Sequence, residues 1–240
     1  TSYFVQDEWK VAPKWTVTPG VRVDHHSAFG THTSPSISVG YDVNAKTNVY
    51  AAYKEYFLAP TPYQLFDGTN GNRNLKPETG HEWSVGVHHK FGKTWNSNLS
   101  FFSRSTKDKI GWATNPATGT VQYQNFDTEK AHGINADVRK QLTKHLSARL
   151  GYTYTHIDAT PTRKANRDGY VPKHAVNAGL DYNDAKWDAH LDIRGVIDRP
   201  GPAANIFPRT TYWITDISAN YRVRENVTVF GRVNNLFDTY

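Results

Sequence analysis

Eleven histidines are the side chains best suited to hold a metal or move a proton. Two pairs are adjacent, His25-His26 and His88-His89. On a strand, neighbouring side chains point to opposite faces, so neither pair can grip one ion. They read as strand-end polar residues, and no metal site is nominated. Asp67-Gly68-Thr69-Asn70-Gly71-Asn72 has the flavour of a calcium loop. It lacks the spacing and closing Glu of an EF-hand, and reads instead as a Gly/Asn-rich turn. The chain has no cysteine, which removes disulfides, thiolate metal sites and thiol nucleophiles. No G-x-S-x-G, H-E-x-x-H, P-loop or G-x-G-x-x-G element occurs. No catalytic residue and no cofactor is expected.

Charge is a second possible source of function. Lys and Arg total 28 against 22 Asp and Glu, a formal net charge of +6. The basic residues are scattered singly with no basic stripe, so a nucleic-acid partner is not expected. Arg149, Arg194, Arg222 and Arg232 fall on the polar side of alternating runs. There they would line a watery wall and meet anionic groups, or pair with Asp188, Asp192 or Asp216.

The elements that must position these groups are strands. Period-two alternation runs through the chain. Leu146, Ala148, Leu150, Tyr152 and Tyr154 oppose Ser147, Arg149, Gly151, Thr153 and Thr155. Trp187–Ile193 and Trp213–Val223 show the same division, as does Val227–Val233. This predicts about 12 strands, many of roughly 10–14 residues, against about 5–6 in soluble proteins. Short polar turns are expected at 12–14, 44–47, 92–93, 143–144, 183–185 and 224–226. They alternate with longer Gly/Pro/Asn-rich segments near 27–34, 60–77, 106–119, 158–171 and 199–210. Trp9 and Trp15, Tyr41 and Tyr50, Phe91 and Trp95, and Tyr182 and Trp187 flank the short turns. Short turns at one rim, loops at the other and rings along a rim fit a membrane β-barrel. The mean hydropathy of −0.68 excludes a bundle of spanning helices. It does not exclude a barrel, whose strands average lipid-facing with lumen-facing residues. No leader is visible before Thr1, so the chain reads as processed or as a piece of something longer.

Four segments resemble those of TonB-dependent outer-membrane receptors, in family order. Tyr3-Phe4-Val5-Gln6-Asp7-Glu8-Trp9 and Thr18-Pro19-Gly20-Val21-Arg22-Val23-Asp24 resemble the family's Phe-x-Gln-Asp-x-Trp and Pro-Gly-x-Arg-x-Asp hairpin. Phe57-x-Ala59-Pro60, followed by Asn74-Leu75-Lys76-Pro77-Glu78, resembles its mid-barrel pair of motifs, with Arg73 where the family usually has Pro. Asn235-Leu236-Phe237-Asp238 is similar to the end of its penultimate strand.

The resemblance implies an all-β, antiparallel up-and-down transmembrane barrel of about 22 strands around a plug. About 12 of those strands would lie here, with residues 1–240 a single-domain portion lacking the plug and the last strand. It implies active transport of a metal chelate across the outer membrane of a diderm bacterium, without covalent chemistry. The implied partners are TonB, reached through an N-terminal part not seen here, outer-membrane lipid and lipopolysaccharide, and the chelate. A ferric siderophore leads, with cobalamin next. Haem is disfavoured because no histidine lies between Pro60 and Asn74. Ligand contacts are expected from Tyr56, Tyr63, Phe66, Arg73, Trp112, Tyr123 and Phe207, since rings with a few charged groups suit such ligands. The alternatives are a self-contained porin or barrel hydrolase and, third, a soluble β-sandwich.

Overall fold

The computed structural model describes residues 1–115, 118–158, 171–199 and 211–239. Phe207 lies outside them. The chain opens with β1 (Ser2–Gln6), β2 (Trp9–Ala12), β3 (Trp15–His26), β4 (Gly30–Asn44) and β5 (Thr47–Leu58). A short helix, α1 (Pro62–Phe66), follows, then β6 (Glu78–Phe91), β7 (Trp95–Thr114) and β8 (Val121–Gln141). β9 (Leu146–Asp158), β10 (His174–Asn183), β11 (Trp187–Ile197), β12 (Tyr212–Arg224) and β13 (Val227–Val233) complete the described strands.

All of them form one antiparallel sheet, each strand beside its sequence neighbour. β1 and β2 both pair with β3, so the 13 segments fill 12 places, as the alternation predicts. No crossover interrupts the meander, which removes the soluble sandwich with its Greek-key connections.

The register shows why the pattern alternates. Val17, Val39 and Ala51 stand in one cross-strand row, and Ala51 continues it through Val85, Phe101, Ile134 and Tyr154. Leu180, Leu191, Ile217 and Val233 continue that face across β10–β13. The opposite face carries Ser36, Lys54, Glu82, Arg104, Arg149, Asp192 and Asp216. Large apolar side chains stay exposed along the first face, among them Val85, Leu99, Phe101 and Leu150. In water such a surface would drive aggregation; against lipid tails it is the right solvent boundary. No helix among the described residues is long and apolar enough to cross a membrane.

The turns sort by end. Those after β2, β4, β6, β8, β10 and β12 are all short, and side chains close several of them. Asn44 Oδ1 accepts from Lys46 N at 2.9 Å, and Thr143 Oγ1 accepts from Leu146 N at 3.1 Å. Such Asx and hydroxyl turns replace the backbone bonds a tight reversal loses. Rings gather at the same rim: Trp15 on Tyr41 at 4.7 Å, Phe91 on Trp95 at 6.0 Å and Trp187 on Tyr221 at 4.6 Å.

Two expected loops are corrected. Residues 30–34 belong to β4, leaving three residues between β3 and β4. Residues 106–114 belong to β7, which runs 20 residues and pairs with 21 in β8. Polar composition there signals a hairpin standing in water above the membrane, since a tilted strand crosses in about 9–11 residues.

The polar face is stitched by charge. Arg149 bonds Asp192 and reaches Asp181 at 3.3 Å. His190 bridges Asp181 at 2.9 Å and Asp188 at 3.0 Å, and Arg194 holds Asp216 at 2.7 Å. Among the described residues Arg222 and Arg232 make no ion pair; they donate to the Ala185 carbonyl and to Asn234. Exposed pairs contribute little each; the register of β9–β12 is that of the backbone ladder, with one face apolar throughout.

The β10–β11 turn yields a pH prediction. Tyr182 Oη donates to Asp184 Oδ2 at 2.7 Å, while the Trp187 and Lys186 amides donate to Oδ1 at 2.7 and 2.8 Å. Led by the tyrosine bond, these donors pull the Asp184 carboxyl down to about 2. A depressed carboxyl holds its turn fully above the ordinary carboxylate range and releases it as pH falls through the depressed value. Carboxyl NMR with labelled aspartate should therefore show Asp184 ionised at pH 3.5, where an aspartate in an unstructured peptide is more than half protonated. Titration near pH 4 would contradict the geometry.

Candidate functional site

The loop joining β5 to β6 forms the candidate site, strapped onto the projecting β7–β8 hairpin. α1 starts on a capping box: Thr61 Oγ1 accepts from Gln64 N, and Gln64 Oε1 accepts from Thr61 N. Pro62 sits at its first position, where no amide hydrogen is needed. This helix lies in a segment expected as loop, although Thr61-Pro62-x-Gln64 carries its signature.

After α1 the chain turns through Asp67, whose Oδ2 accepts from Asn70 N at 2.9 Å. This is the Gly/Asn turn expected there. Three polar clamps then bind the loop to the hairpin. Asn72 Nδ2 donates to the Tyr123 carbonyl at 2.8 Å, and Tyr123 N donates to the Asn70 carbonyl at 3.0 Å. Asn125 Oδ1 accepts from Lys76 N at 2.8 Å, while its Nδ2 donates to the Lys76 and Asp108 carbonyls. Glu78, almost fully buried, accepts from Ile110 N at 2.9 Å and pairs with Lys109 at 3.0 Å. Leu65, Leu75 and Ile110 close a small apolar core beneath, flanked by Phe29 and Tyr123.

These contacts give the motif residues physical roles. Leu75 is the plug of that core, and Glu78 is its buried clamp. Asn74 stays exposed, its amide donating to Asn72 Oδ1 at 2.9 Å. Phe57 stacks on His32 at 4.7 Å where β5 ends; Ala59 and the buried Pro60 lead out of it. Pro77 precedes β6. Beyond β13, Asn235 and Asp238 take positive φ values of 51° and 48°. The Asn235 amide donates to Asp216 Oδ1 at 2.8 Å, and the Leu236 amide to the Thr215 carbonyl at 2.8 Å. The Asn-Leu-Phe-Asp element is thus a turn docked on β12, and Phe237 stays exposed.

The structure brings three of the expected contact residues into one row. Trp112 lies 4.5 Å from Tyr123, and Tyr63 meets Tyr123 edge-on at 6.2 Å. Arg73 sits 5.4 Å above the Phe66 ring on the same loop, a cation–π pair. Tyr56 stands apart on the wall, its hydroxyl bonded to Thr106 at 2.5 Å. Asn125 was not singled out from sequence, because nothing local marks a clamp between partners 49 residues apart. No cluster of three or more metal-ligating side chains occurs among the described residues.

A meander that is apolar outward, polar inward and short-turned at one rim is the wall of an outer-membrane β-barrel. Residues 1–236 match the family described as TonB dependent receptor-like, beta-barrel, and the chain belongs to it. The iron-regulated outer membrane virulence protein of Vibrio cholerae serotype O1 is 29% identical over 262 residues, covering 98% of this chain and 40% of that protein. The vitamin B12 transporter BtuB of Photobacterium profundum is 26% identical, covering 93% of this chain and 37% of its own length. The solved siderophore receptor PirA from Pseudomonas aeruginosa superposes with a TM-score of 0.71 at 26% identity, over 99% of this chain and 42% of that one. The chain thus spans about two-fifths of the length of these relatives. Its place is the outer membrane of a diderm bacterium, and its family is one of transport receptors.

The clamps predict a loss on Glu78→Ala. Removing the carboxylate strands the Ile110 amide and Lys109, at a cost of about 1–3 kcal/mol. Hydrogen exchange should quicken through residues 62–77 and not in the β9–β12 wall. Unchanged protection of the loop would show that the clamp does not hold it.

Proposed function

We propose that residues 1–240 form one domain, part of the barrel wall of an active-transport receptor for a scarce metal chelate, energised through TonB. Completing such a wall takes further strands: β1 and β13 have one partner each among the described residues, and a strand edge facing lipid is not tolerated. That also counts against a self-contained porin or barrel hydrolase. TonB would be engaged through a plug and N-terminal segment beyond this chain.

The row Tyr63–Tyr123–Trp112 beside the Arg73–Phe66 pair carries the reading. Rings on a clamped loop offer flat contact area at low entropic cost, and one guanidinium adds attraction for an anionic ligand. This combination fits a ferric siderophore better than cobalamin, which brings less negative charge. Relatives named as a siderophore receptor and as a B12 transporter keep both in view. Tyr56 is assigned a contact lower in the wall, and Phe207 one from the β11–β12 connection. The protein contributes binding and gating, with no catalytic group.

The whole receptor containing this chain should restore growth of a receptor-deleted host on a ferric siderophore. The panel tested would include haem and cobalamin as well. Rescue by none of these would end the transport reading. Trp112→Ala should weaken chelate binding about tenfold, the scale of one lost aromatic contact. An unaltered Kd would remove Trp112 from the site.

A further inference from the structure

Adjacent histidines on one strand face opposite ways, but histidines opposed across two strands share a face. The register of β8 and β9 makes one such pair. His132 stands directly opposite His156, one step above the Ile134–Tyr154 pair on the lipid-facing parity. Their ring centres lie 5.0 Å apart, with the planes inclined by 43°. For metal–nitrogen bonds of about 2.0–2.1 Å, two imidazoles on one ion hold their centres roughly 4.5–5.2 Å apart, over bond angles of about 90–110°. The pair already stands at chelating separation.

The surroundings of each ring suit a ligand. His156 Nε2 meets Asp158 Oδ1 at 3.0 Å, which leaves Nδ1 for an ion. A carboxylate behind a ligating imidazole fixes its tautomer and raises its basicity. The His132 ring takes no hydrogen-bond partner among the described residues. Other histidines are already engaged: His174 by the Tyr152 hydroxyl at 2.7 Å, and His89 by Thr47 at 2.8 Å. In the lumen, His190 is held between two aspartates. Imidazole nitrogens favour Cu2+ or Zn2+ over Ca2+ or Mg2+. Two side chains are fewer than a structural zinc site uses, so water would complete the shell.

The pair sits where a cross-link has most to hold. The β8–β9 ladder ends at Lys130 opposite Asp158, two residues above it. Beyond that point β8 continues up to Val121 with β7 as its described partner. His132 lies eight residues up β8 from Lys140, which covers the Trp95 ring at the turn-end rim. At about 3.3 Å per residue and a tilt near 45°, that is roughly 19 Å, toward the top of an apolar band about 25 Å tall. Water and ions reach that level, and the His156 side chain is 44% exposed.

We infer that His132 and His156, backed by Asp158, bind one Cu2+ or Zn2+ ion and so staple β8 to β9 at the foot of the projecting hairpin. Both rings face outward, so the site is separate from the lumen and from the transported chelate. A bound ion steadies β7 and β8, and with them the clamped loop between β5 and β6.

The test uses the whole receptor in detergent, with Cu2+ alone as probe and electron paramagnetic resonance as readout. The parent should bind one more Cu2+ than His132→Ala or His156→Ala, and that ion should couple to two imidazole nitrogens. His174→Ala, on the same face, should leave the signal unchanged. Asp158→Asn should weaken the site about tenfold, the scale of a lost outer-shell carboxylate. Zn2+ should slow hydrogen exchange in residues 130–134 and 154–158 of the parent and not of His132→Ala. Equal copper uptake and an equal signal in the parent and in His132→Ala/His156→Ala would overturn the site. So would full displacement of the ion by millimolar Mg2+, which marks a hard cation held by oxygen.

Discussion

In lipid, a backbone amide or carbonyl without a partner costs several kcal/mol, and no water is there to supply one. The rest of this structure depends on that penalty. It forces every membrane-spanning residue into a strand paired on both sides, and pairing in turn forces side chains to alternate between lipid and lumen. The row from Ala51 through Val85, Phe101, Ile134 and Tyr154 is what the alternation looks like across five adjacent strands. A low mean hydropathy is the arithmetic result: the Arg149–Asp192 and Arg194–Asp216 pairs sit one residue away from lipid-facing Leu and Ile.

The same rule divides labour along each strand. Near the short turns the sheet has to reverse and enter water at once, and the three register shifts among the described residues occur there, at Lys10/Ala12, Asp42/Asn44 and Arg222/Arg224. Away from the turns the strands are free to lengthen, and β7 and β8 do. Once above the bilayer, a hairpin face no longer needs lipid on one side. Its residues can then bury Leu65 and Leu75 against Ile110 and support a loop. The candidate site is therefore a small water-soluble fold grown on top of a membrane wall.

That division decides what was legible in the sequence. Strand number, the turn-end rings and the outward face follow period-two alternation, a local property visible over eight residues. The pairing of Arg194 with Asp216 was open to reading because both lie on the same parity of neighbouring strands. Sequence reads the top of β7 as loop because residues 106–114 stand above the apolar band, with no lipid tails to make them alternate in hydropathy. The clamps were invisible for another reason. Asn125 and Glu78 reach partners 49 and 32 residues away, and only the fold brings them together. Sequence singles out Tyr63, Trp112 and Tyr123 one by one, as aromatics of the long-loop half. Their assembly into one row depends on the same clamps.

Position above the membrane also explains why the site is clamped at all. A loop of 19 residues between β5 and β6 would, if free, lose much conformational entropy each time it ordered around a ligand. Here folding meets that cost in advance, through the Asn72, Asn125 and Glu78 bonds and the Leu75 core. The rings of Tyr63 and Tyr123 are then already in contact before any ligand arrives. Pre-ordering of this kind favours slow dissociation of a scarce solute. It also makes the hairpin, rather than the loop itself, the element whose stability limits binding: anything that tilts β7 and β8 moves the whole row together.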